Sequence, residues 1–113
     1  MVLSGGRPVN SCLIMAWQLE GGEIVTAEGI DASLEGRVVK AALTAENAFQ
    51  CGYCAPAFVV TLTALFQEDR VADEARIRRA LEGNICRCTG YHSIIRGALR
   101  AGEMLAEQAG DNA

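Results

Sequence analysis

Cys51-Gly52-Tyr53-Cys54 is the stretch from which the fold of this chain reads, and Cys86-Arg87-Cys88 is its complement; together they hold four of the five cysteines in 113 residues. Two close pairs separated by a long segment can converge on one metal centre, so a tetrathiolate site is expected. Each pair is followed directly by a helix start, where unpaired backbone N–H groups and the helix dipole favour negative charge. Such surroundings lower thiol pKa values, and Gly52 and Gly90 leave room for backbone N–H groups to approach sulfur. The single residue between Cys86 and Cys88 is a tighter gap than the roughly two to four usual in structural zinc sites. Spacing alone nevertheless leaves iron–sulfur and zinc both open.

Upstream of the first pair, Leu34, Val38, Ala41, Ala45 and Phe49 recur every three or four residues, the stripe of a helix with one buried face that delivers the chain to Cys51. Downstream, Pro56 suits a first helical turn, and Phe58, Val59, Leu62, Leu65 and Phe66 form a second stripe, read as bundle core, that Asp69 and Arg70 end in solvent. Asp73 can cap a third helix carrying Ile77, Ala80 and Leu81, which Gly83 then stops with a residue tolerant of left-handed geometry. Thr89 can cap a fourth helix burying Ile94, Ile95, Ala98, Leu99 and Leu105, and residues 109–113 read as a fraying tail. The expected fold class is mainly α: a four-helix bundle with thiols at its junctions.

The front of the chain is different. Residues 1–29 are rich in glycine and β-formers, with Val9 and Leu13 near Cys12 and the run Glu23-Ile24-Val25-Thr26 resembling strands between turns. One or two short strands cannot bury both faces or pair their edges alone, so this part reads as incomplete as a domain.

Composition narrows the function. The length suits one compact domain with a single core and is too short for two. Half the residues are hydrophobic, yet Lys40, Glu46, Gln50 and Glu68 interrupt the longest apolar runs, so no membrane span of roughly 18 residues is expected. Residues 1–10 lack the apolar core and cleavage site of a secretory signal, which places the thiols in a reducing compartment and makes the cytoplasm the expected location. A formal charge of −4, with Arg70, Arg76, Arg78, Arg79 and Arg87 scattered among acids, offers nucleic acid no basic face; a protein partner is the better expectation.

At Gln50-Cys51-Gly52-Tyr53-Cys54-Ala55-Pro56 and Leu81-Glu82-Gly83-Asn84-Ile85-Cys86-Arg87-Cys88-Thr89-Gly90-Tyr91, the chain resembles the small iron–sulfur subunit of the molybdenum hydroxylase family. That family includes xanthine dehydrogenases, aldehyde oxidoreductases, aerobic carbon monoxide dehydrogenases and isoquinoline oxidoreductases. The resemblance runs from about Gly6 to Arg100. It implies that residues 31–108 form a helical domain binding one [2Fe–2S] cluster through Cys51, Cys54, Cys86 and Cys88, beside a molybdopterin cofactor. It further implies that Gln50 and Cys88 lie nearest the pterin, Gln50 through a side-chain hydrogen bond and Cys88 as the electronic link. Catalysis then belongs to a large molybdopterin-binding partner subunit that hydroxylates a heterocycle, aldehyde or similar small molecule. This chain would contribute no catalytic residue and would relay electrons toward an FAD-binding subunit or another acceptor.

Family members also carry a β-grasp ferredoxin-like domain whose Cys-x4-Cys-x2-Cys run and distant fourth cysteine hold a second cluster. Gly6-Arg7-Pro8-Val9-Asn10-Ser11-Cys12 matches the surroundings of that last ligand, so residues 1–30 are expected to be a truncated remnant in which Cys12 is an orphaned or simply buried thiol. Ala55 and Ala57 stand where the family often has Thr and Gly, a change expected to alter N–H packing around the cluster. Tyr53 and Tyr91 are expected to shield the cluster from water, Arg87 to offset its charge or to pair with a partner's carboxylate, Trp17 to be core or interface, and His92 to be a surface residue or cap. Two other readings compete: a zinc-stabilised interaction module, with one zinc per chain, and a non-functional fragment of such a subunit.

Overall fold

The computed structural model describes residues 1–111. Among the described residues, four α-helices follow a small antiparallel sheet: β1 (Val2–Ser4), β2 (Arg7–Val9) and β3 (Ile24–Val25), then α1 (Leu34–Ala45), α2 (Ala55–Glu68), α3 (Glu74–Ala80) and α4 (His92–Asp111). The mainly α class expected from the stripes is what the chain adopts.

The helix termini follow from local chemistry. Ser33 opens α1: its Oγ accepts the Gly36 N–H at 3.0 Å, satisfying one of the donors a helix start leaves free. Asp73 opens α3 in the same way, its Oδ1 accepting the Arg76 N–H at 2.8 Å. Pro56 lies in the first turn of α2, where its missing N–H costs nothing.

Three helix ends differ from the sequence reading. The α1 stripe was expected to run to Phe49, but the helix stops at Ala45 because Asn47 turns left-handed, with φ 49°. The Ala48 N–H then reaches the Leu43 carbonyl at 3.0 Å and the Asn47 N–H reaches that of Thr44 at 3.1 Å, the paired closure of a Schellman motif. The buried face of α1 is also shifted from the expected stripe, since Val38, Val39, Ala42 and Leu43 are buried while Ala41 and Ala45 are exposed. Helix α3 ends at Ala80 with no left-handed glycine; Gly83 is not among the residues with positive φ. At the C-terminus, α4 continues through the segment read as a tail as far as Asp111, and the remainder of that segment, residues 112–113, lies outside the described residues.

Helix α2 is the centre of the bundle. Every residue from Phe58 to Phe66 is buried, more than a one-sided stripe would cover, because α1, α3 and the sheet all pack against it. The hydroxyl of Thr63 is satisfied inside this apolar run by donating to the Val59 carbonyl at 2.7 Å. Helix α4 lies along α1, and Ile94, Ala98, Ala101 and Leu105 complete the core from that side. Glu35, largely buried, is paired with Arg70, which ties the start of α1 to the loop after α2.

The sheet has the order β2-β1-β3, with Val2 opposite Val9 and Leu3 opposite both Pro8 and Val25. Strand β1 is the element the sequence reading lacked; its Leu3 is buried and joins the core through α2. Leu13 stands in a 3-10 turn, Ser11–Leu13, and not in a strand. Trp17 is 73% exposed in a second such turn, so it is not a core residue. Among the described residues, no helix is long and apolar enough to cross a membrane.

Candidate metal centre

The four thiols sit in two loops, Cys51 and Cys54 between α1 and α2, Cys86 and Cys88 between α3 and α4. Three contacts from the first turns of α4 to the exit of α1 bring the loops together. The Ser93 hydroxyl donates to the Ala48 carbonyl at 2.7 Å, and Arg96 pairs with the Glu46 carboxylate at 3.0 Å and with its carbonyl at 3.3 Å. The left-handed closure at Asn47 aims the chain at this junction, so the early stop of α1 is part of how Cys51 is placed.

In space the thiols pair across the sequence pairs. Cys88 Sγ lies 3.5 Å from Cys51 Sγ, and Cys54 has Cys86 as its neighbouring thiol. All four are free thiols, graded from Cys86, buried, through Cys54, half-buried, to Cys51 and Cys88, exposed. Gly52 and Gly90, with φ of 81° and 67°, make the turns beside them, a backbone region in which other residues pay strain.

Each spatial pair splits its proton affinities. The Tyr53 N–H, followed by the Cys88 thiol, holds Cys51 below the ordinary cysteine range, whereas Cys88 is raised chiefly through its hydrogen bond with Cys51. Burial, reinforced by the neighbouring Cys86, pushes Cys54 up to about 11. Cys86 is drawn down to about 7, first by the Thr89 hydroxyl. Cys51 and Cys86 are thus shifted toward the thiolate, the form in which cysteine ligates soft metals. Two adjacent cysteine pairs are the donor set that a binuclear iron–sulfur core takes, two thiolates to each iron.

The surroundings depart from expectation at three residues. Thr89 does not cap α4: its hydroxyl donates to Cys86 Sγ at 3.1 Å and accepts the Tyr91 N–H at 3.1 Å. This was legible only as a hydroxyl three positions after a cysteine and just before a glycine, a pattern that serves turns as readily as caps. Tyr91 does pack inward, its ring 6.0 Å from that of Phe58, which in turn meets Phe49 at 6.1 Å. Its hydroxyl accepts the Cys86 N–H at 3.1 Å and donates to the Asn84 carbonyl at 3.2 Å, so it braces the second thiol loop more than it covers sulfur. Tyr53 is 94% exposed and shields nothing within this chain. Gln50, Arg87 and His92 are all exposed, and Cys12, which is exposed and not buried, belongs to neither sulfur pair.

The fold and its thiol set define an iron–sulfur domain. The family model described as "[2Fe-2S] binding domain" matches residues 26–99, and the chain belongs to that family, as an iron–sulfur subunit of the xanthine dehydrogenase and aldehyde oxidoreductase kind. It is 41% identical over 99 residues to a probable xanthine dehydrogenase subunit of Bacillus subtilis, covering 88% of this chain and 57% of that protein. It is 39% identical over 100 residues to the xanthine dehydrogenase iron-sulfur-binding subunit of Escherichia coli O157:H7, covering 87% and 63%. The chain thus spans less than two thirds of these relatives. Among solved structures, quinoline 2-oxidoreductase from Pseudomonas putida 86 superposes with a TM-score of 0.81 at 30% identity, over 94% of this chain and 67% of that one. Aldehyde oxidoreductase from Desulfovibrio desulfuricans gives 0.84 at 30% identity, over 95% of this chain and 12% of the larger one.

Proposed function

We propose that this chain is the electron-transfer component of a molybdenum hydroxylase, holding one [2Fe–2S] cluster on Cys51, Cys54, Cys86 and Cys88. The observation that carries the reading is the approach of the Cys51 and Cys88 sulfurs to 3.5 Å across the two loops, with free Cys54 and Cys86 as neighbours at the same helix junctions. A bound cluster would supply one-electron chemistry, accepting and passing on single electrons without moving atoms.

The chain's own part is to hold, orient and wire that group. Exposed Cys88 and Gln50 form the outward side of the site, which fits them to face the pterin of a large molybdopterin-binding subunit. Cys86 and Tyr91 secure the inward side against the core. Exposed Tyr53 and Ile85, at 94% and 79%, flank the thiols with apolar surface that a partner would cover. Residues 31–108 would be the cluster-binding domain, and residues 1–30 would belong to a ferredoxin-like one. The next carrier would be an FAD-binding subunit or another acceptor, and free thiols of this kind suit the reducing cytoplasm.

The relay is tested by co-expressing the chain with its large subunit and adding substrate without oxygen. A cluster EPR signal that grows on substrate addition, and fails to grow when Cys88 is replaced by Ser, is the expected result. A signal reached only with dithionite would contradict the relay.

A further inference from the structure

We infer that Thr89 sets the reduction potential of the cluster, by donating its hydroxyl hydrogen to the sulfur of Cys86 and so favouring the reduced state; this rests on the cluster reading above. The Thr89 Oγ1 to Cys86 Sγ distance is 3.1 Å. A threonine hydroxyl has one hydrogen to give and a cysteine bound to a cluster as thiolate has none, so the hydroxyl is the donor. The Tyr91 N–H donates to the same oxygen at 3.1 Å, occupying one lone pair and holding the hydroxyl beside the sulfur.

That N–H is aimed by an uncommon backbone. Tyr91 has φ 73°, in a region where a bulky residue is strained and persists only where its surroundings hold it. They do so here: the ring is packed on Phe58, and the hydroxyl bridges the Cys86 N–H and the Asn84 carbonyl. The result is a closed circuit from Cys86 N–H to the Tyr91 hydroxyl, and from the Tyr91 N–H through Thr89 back to Cys86 Sγ. Cys86 is the buried member of the four thiols, where a hydrogen bond is least weakened by water.

The direction of the effect follows from charge. Reduction adds one electron to the cluster and its thiolates, with no bond made or broken and no proton taken up. A donor pointed at a ligand sulfur stabilises the more negative state more strongly, so the potential is higher with the Thr89 hydroxyl than without it. Thr89 therefore acts through Cys86, as a positioning and tuning residue.

The test uses the full chain, unmodified and as Thr89→Ser, Thr89→Val and Thr89→Ala, each reconstituted anaerobically with iron and sulfide. The oxidised-to-reduced ratio is read by EPR during a mediated dithionite titration. Ser keeps the original potential, while Val and Ala shift the equilibrium about tenfold toward the oxidised form, equivalent to about 59 mV for one electron. Equal potentials in all four chains, or a rise in Val and Ala, would overturn the inference. So would loss of the cluster from both Val and Ala with retention in Ser, which would make the hydroxyl a requirement for assembly and not for potential. Failure of the unmodified chain to take up a cluster would sink the underlying reading as well, and is distinguished by the absence of any signal.

Discussion

Cys51 and Cys88 stand 37 positions apart in the chain and 3.5 Å apart at their sulfurs. Neither belongs to the other's sequence pair, so the centre is assembled by tertiary contacts and not by either loop alone. The lacing of Ser93 and Arg96 to the α1 exit is what closes that gap.

Replacing Cys88 with Ser removes one sulfur from this approach and leaves a hydroxyl, a poorer ligand for iron than thiolate. The reconstituted variant is expected to hold less cluster and to lose it faster, measured as visible absorbance and EPR intensity over time. Spectra and retention equal to the unmodified chain would refute the ligand assignment.

Cys12→Ser is the matched control. Cys12 is exposed in the 3-10 turn Ser11–Leu13 and belongs to neither spatial pair. Iron content and EPR line shape are expected to stay unchanged, and a lost signal would bring Cys12 into the site.

Asn47 decides where α1 ends, and its φ of 49° gives opposite outcomes for two substitutions. Alanine there must adopt a left-handed conformation at a cost of about 1–2 kcal/mol, whereas glycine adopts it without that cost. Thermal unfolding should therefore fall by several degrees in Asn47→Ala and hold or rise in Asn47→Gly. Equal melting of both variants would show that the closure does not depend on this backbone.

Gly36→Ala tests the other end of the same helix. A Cβ at Gly36 would run into the Ile30 carbonyl oxygen and lie 3.0 Å from the Ser33 Oγ that caps the helix. The gain in helix propensity, at most about 1 kcal/mol, is smaller than the roughly 1–3 kcal/mol typical of overpacking. Net destabilisation is the expected outcome in urea unfolding, and an unchanged midpoint would contradict the close approach.

What the sequence made legible was what depends on spacing. The stripe from Phe58 to Phe66, the Asp73 cap and the two cysteine motifs are local patterns, and each sits where its pattern placed it. What stayed hidden depends on a single backbone angle or on a distant neighbour. Asn47 ends α1 through one left-handed φ, which the apolar period running on to Phe49 conceals. Strand β1 is only Val2–Ser4, too short to show alternation, and it exists because β2 and β3 pair with it on both sides. Thr89 carries the usual signature of a cap and spends its hydroxyl on sulfur instead, a choice made by the braced geometry of Tyr91. The crossing of the thiol pairs was beyond sequence for the same reason: it follows from how α4 meets the end of α1.

The central claim is that these four thiols hold one binuclear iron–sulfur centre. The most direct measurement is iron, zinc and acid-labile sulfide content together with low-temperature EPR on the anaerobically reconstituted, dithionite-reduced chain. About two irons, about two sulfides and a single S = 1/2 signal per chain are predicted for a [2Fe–2S] site. One zinc with no sulfide and no signal would contradict the account and make the domain a structural module.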